Sequence, residues 1–141
     1  MEYLDRFNAL VGDTLMYCQR VEHDVKIIYA AMLKGDFNQN LSLVAAETLG
    51  TVVTALKKLD KSDSRPTFSH GDFAVLKEIK NVRNWLCHRC YVDFLYLDGR
   101  AFEDKLCESF DYLFAFNRKL KCLSAAVEKV RFDMLKKYGR I

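Results

Sequence analysis

Arg83, Asn84 and His88 bring a guanidinium, a carboxamide and an imidazole into one short run of the chain. An imidazole exchanges protons near neutral pH, a guanidinium presents paired donors that match a phosphate, and an amide can orient either group. Together these types suit acid–base chemistry on a phosphate ester. His88 would move a proton, and Arg83 would counter charge on the phosphate. Such chemistry needs no metal, so the expected cofactor is none. Lys77, Lys80 and Tyr91 fall on the same helical line as Asn84 and His88, placed to hold neighbouring phosphates.

The spacing also sets a geometric demand. His88 lies five positions after Arg83, which is about 140° around a regular helix. Both reach one phosphate only through a long arginine side chain, an irregular helix, or a cleft shared by two copies of the chain.

Arg83 lies within the apolar arc formed by Val75, Leu76, Ile79, Val82, Leu86, Cys90 and Phe94. Far upstream, Glu22 sits between Cys18, Val25 and Tyr29 on a similar arc. Breaking a buried ion pair costs about 3–5 kcal/mol, so a charge on each arc predicts that Glu22 and Arg83 are partners. A zinc reading of Cys87-His88-Arg89-Cys90 fails for want of a second ligand pair, since Cys18, Cys107 and Cys122 stand singly on other segments. Lys57-Lys58, Arg118-Lys119 with Lys121, and Lys136-Lys137 read as solvated helix faces, with an RNA path as the alternative.

Helices must position these groups. Leu4, Phe7, Val11, Leu15, Cys18, Val25, Ile28 and Met32 recur at helical intervals, and Lys34-Gly35 supplies a basic last turn and a C′ glycine, predicting a first helix over about 2–34. A second reads from Leu41 to Leu59, with Thr48 as an alternative fresh start. Residues 60–69 read as a surface loop. The third helix, carrying the candidate site, is expected to begin at Asp72 as N-cap and to run to Asp98-Gly99. The last carries Phe102, Leu106, Leu113, Leu120, Val127 and Met134 on one stripe, with Gly139 just beyond it. Short polar connections between such helices predict an all-α, antiparallel four-helix up-down bundle forming one domain over 1–141.

Composition agrees with that size and class. A chain of 141 residues can bury roughly 68% of its unfolded surface without disulfide or metal staples. No apolar stretch is long enough to span a bilayer, so no membrane partner is expected. The N-terminal run Met1 to Arg6 lacks a secretory pattern, which places the five cysteines in a reducing compartment and predicts a cytoplasmic protein. A net charge of +3 permits contact with phosphates but excludes the strong basicity of a dedicated nucleic-acid binder.

Arg83-Asn84-Trp85-Leu86-Cys87-His88 resembles the R-x(4–6)-H motif of the HEPN superfamily, with the polar residue directly after the arginine. Glu22-x-x-x-Lys26 looks like the E-x3-K element found with that motif in many HEPN groups. The resemblance implies a helical bundle acting as a homodimer, two motif copies facing each other across a cleft. It further implies metal-independent endoribonuclease activity, often as the toxin of a toxin–antitoxin or phage-defence system, with RNA and an antitoxin protein as partners. Other members only bind RNA or a protein, which makes a non-catalytic adaptor the rival expectation. Position 90, two after the histidine, is Cys where one toxin group has a modified tyrosine, and Tyr91 comes one residue later.

Overall fold

The computed structural model describes residues 2–141, and its elements are α1 (Glu2–Met32), α2 (Phe37–Ala45), α3 (Leu49–Lys61), α4 (His70–His88), α5 (Val92–Leu95) and α6 (Gly99–Lys137). The chain is all-α, and no strand occurs among the described residues. Among the described residues there are six helices where the apolar pattern predicts four, because two expected helices are each divided.

The first division lies in the expected second helix. Thr48 adopts an extended backbone and its Oγ1 accepts from the amide of Thr51 at 3.2 Å, starting α3 afresh. α2 before it is capped by Asp36, whose side chain accepts from Gln39 at 2.9 Å. Lys26 of α1 reaches the Ala45 carbonyl at 3.4 Å, so α2 runs back down along α1. α3 then turns upward, and Asp60, near its end, accepts from the amides of Thr67 and Phe68 at 2.9 and 3.0 Å, ordering the connection into α4.

This extra reversal changes the sense of everything after it. α4 runs antiparallel to α1, since Arg83 meets Glu22 and Tyr91 meets Asn8. α6 runs parallel to α1: Asn117 bonds Thr14, Arg131 bonds Asp24 and Arg140 bonds Ala31 in ascending order along both helices. An up-down bundle of four would set its first and last helices antiparallel; the α2–α3 hairpin makes them parallel. One buried cluster draws side chains from every helix, from Phe7 and Ile28 of α1 through Val44, Leu56, Ile79 and Phe94 to Leu113 and Leu120 of α6.

The second division ends α4 at His88, not at Asp98-Gly99. The Trp85 carbonyl accepts from both Arg89 and Cys90, at 2.9 and 2.8 Å, and the chain turns. α1 has little length left beyond Asn8, so a straight continuation would leave the bundle without a partner. The bend instead buries Phe94 edge-on against Phe7 and Phe102, with centroids 5.6 and 5.4 Å away, a gain of about 2–3 kcal/mol for one aromatic ring. At the other end of α4, Ser69 is the N-cap in place of Asp72. Asp72 is the third residue of a reciprocal capping box, at 3.0 and 2.9 Å. α6 closes with Gly139 at φ +65°, and the following Arg140 donates to the carbonyls of Ala31, Leu33 and Gly35 at the end of α1.

Candidate functional site

α4 supplies most of the candidate groups, and its capped start and buried stripe of Phe73, Leu76, Ile79, Val82 and Leu86 fix which way each one points. Arg83 Nη1 donates to Glu22 Oε2. The second oxygen of Glu22 faces Lys26 Nζ at 3.5 Å. Lys26 also bonds the end of α2, so the cluster links α1, α2 and α4. The side chains of Arg83, Glu22 and Lys26 retain 32, 20 and 15% of their exposure, so the cluster sits at the rim of the core and its guanidinium has an open edge. Cys18 lies within reach of this cluster. Burial pushes its thiol up to about 11, against the opposing pull of the Arg83 charge.

His88 is exposed at the last position of α4, and Asn84 is exposed one turn before it. Among the described residues neither side chain makes a hydrogen bond or ion pair. No direct bond joins His88 to Arg83 either. The irregularity that could have drawn them together falls after His88, so the segment between them is ordinary helix: Arg83 turns toward α1 while the imidazole faces outward. The chain thus offers a fixed guanidinium and, among the described residues, an unpartnered imidazole on adjoining faces, not a closed pair.

Tyr91 is placed differently from Asn84 and His88. Its hydroxyl donates to Asn8 Oδ1 at 2.7 Å and its ring stands edge-on to Phe7 at 5.6 Å, and burial raises its phenol above the ordinary value. The donor that would hold a phosphate already secures the bend after α4. Lys77 and Lys80 are exposed and line a groove of about 450 Å³ between α3 and α4.

Some groups escape the sequence reading. Lys57 reads as part of a solvated face, yet it lines that same groove, its Nζ 5.7 Å from the Phe73 ring centre. Only the α3–α4 register reveals this. Asp24, buried, pairs with Arg131 at 2.7 Å, and Asn117 donates to Asp13 and Thr14 at 3.0 and 2.9 Å. Val92, Leu95, Tyr96 and Leu97, expected inside a helix, form an exposed apolar stretch just beyond His88, with Tyr96 84% exposed. No three His, Cys, Asp or Glu side chains gather as a metal-holding group among the described residues, and none of their helices is long and apolar enough to cross a membrane. Comparison with protein-family models, curated proteins and solved structures returns no match.

Proposed function

We propose that this chain is a metal-independent endoribonuclease of the HEPN kind, acting as a homodimer whose two α4 ends form one cleft. The observation that carries the reading is the free imidazole of His88, one turn from the free amide of Asn84, beside a guanidinium that Glu22 holds in place. His88 removes the ribose 2′-hydroxyl proton, the 2′-oxygen attacks phosphorus, and the 5′-oxygen departs with a proton from the second copy's imidazole. The products are a 2′,3′-cyclic phosphate and a free 5′-hydroxyl. Arg83 and Asn84 stabilise and orient the charged phosphate. The second copy also answers the 140° problem, since one protomer's guanidinium can meet the other's imidazole. In a cell the activity suits a toxin restrained by an antitoxin protein.

The test is RNA degradation, or growth arrest on expression, by the wild type and by His88→Ala. Loss of at least about a hundredfold in cleavage is expected from removing a general acid–base group, with an unchanged melting temperature. Equal activity in the two proteins sinks the proposal.

A non-catalytic adaptor is the second reading. It is favoured by the engagement of Arg83 with Glu22 and by the exposed apolar stretch at Val92 to Leu97. An adaptor would bind RNA or protein with no cleavage by the wild type at any enzyme concentration.

A further inference from the structure

The groove between α3 and α4 has walls of one charge. Lys57 stands on the α3 side and Lys77 and Lys80 on the α4 side, and no acidic residue lines it. The lysines engaged in ion pairs are Lys26, Lys105, Lys121 and Lys137, so these three ammonium groups are unmatched among the described residues. Its floor is largely spoken for: Leu49, Leu76 and Phe73 are only 2, 1 and 8% exposed because they already belong to the core. The exposed lining is more apolar than polar, but its apolar part is small beside the face an acidic amphipathic helix buries, so the three ammonium groups are what distinguish the groove. Gly50 lines it without a side chain, and a Cβ added there would meet nothing within 4 Å.

We infer that this groove is a phosphate track for single-stranded RNA, with Lys57, Lys77 and Lys80 holding the strand several nucleotides away from the bond to be cut. The direction toward His88 rests on the ribonuclease reading. Lys77, Lys80, Asn84 and His88 share one line of α4, and from Lys77 to His88 the helix rises about 16 Å. A strand lying in the groove is thus delivered along α4 to the imidazole, and a dinucleotide is too short to use both.

The experiment measures binding of labelled single-stranded RNA, 2′-O-methylated throughout so that it cannot be cleaved, by fluorescence anisotropy over a range of salt. For an RNA of about eight nucleotides, Lys57→Ala/Lys77→Ala/Lys80→Ala should flatten the log–log salt dependence by about 0.7 per lysine, or about 2 in all. A charge-matched control, Lys119→Ala/Lys129→Ala/Lys136→Ala, should leave the slope near wild type. Gly50→Glu should weaken binding while holding or raising the melting temperature, because glutamate suits a first helical turn better than glycine. A groove that served only the fold would not separate those readouts. Equal losses in both triple variants, or capture of an acidic peptide in preference to RNA, overturns the inference. So does unmodified RNA being cleaved with unchanged KM by the groove variant, which leaves the ribonuclease reading standing. Groove-dependent RNA binding by a wild type that cuts nothing supports the track and removes the nuclease.

Discussion

Glu22 shares its carboxylate between Arg83 and Lys26, and its neutral isostere isolates that function. Glu22→Gln keeps the volume but leaves two cations facing each other. The cost should be about 1–2 kcal/mol in urea unfolding, below the value for a sealed pair because water reaches the cluster. If Glu22 positions the guanidinium, cleavage should fall more in kcat than in KM, and Glu22→Asp should recover part of it. Asp13 gives a pH prediction. Its bond from Asn117, with help from Lys121, holds its carboxyl below the ordinary value. The ionised form is therefore favoured by folding. That stabilisation is complete above the usual carboxylate range and is lost as pH falls below it. Melting temperatures followed from pH 6 to 2 should decline less steeply at the acid end for Asp13→Asn than for the wild type. Arg83 and Glu22 were legible as partners because each interrupts an apolar arc. Asp24 with Arg131, and Asn117 with Thr14, were not, since pairing them requires knowing that α1 and α6 lie parallel.

Helix starts were easier to read than helix ends. Thr48 and Ser69 both cap by accepting a backbone amide, and replacing either with alanine should cost about 1 kcal/mol in chemical denaturation. Thr48 was visible as a possible start, but the pattern of Leu41 to Leu59 remained helical on both sides of it, so the reversal of direction was hidden. Asp72 has the residue type of a cap, but Ser69 fills that position and the two cooperate. The end of α4 carries no glycine or proline to announce it. It arises from a tertiary cause, the burial of Phe94 beneath Phe7, together with the tether from Tyr91 to Asn8. Apolar periodicity continues straight through that bend, which is why Val92 to Leu97 looked like ordinary helix.

At the scale of the molecule, the parallel setting of α1 and α6 puts their first turns, α5 and the end of α4 at one pole. Tyr3, Val92, Leu95 and Tyr96 are all exposed there, large side chains of the kind a partner surface covers. The proposed homodimer would cover it. Leu95→Glu/Tyr96→Glu should then sediment as a monomer at concentrations where the wild type sediments as a dimer, with cleavage lost in parallel. A monomeric wild type with full activity would contradict the shared cleft.

The opposite pole is fastened by Arg140, whose three bonds satisfy carbonyls of residues 31, 33 and 35 across sequence separations of 105 to 109. A ribosome makes the chain from its first residue onward. Those three oxygens therefore emerge long before this donor, and of the three only the Leu33 carbonyl has, among the described residues, another side-chain partner close in sequence, the Asn40 amide at 3.3 Å. The corner between the first two helices is knotted off by a residue made more than a hundred positions later.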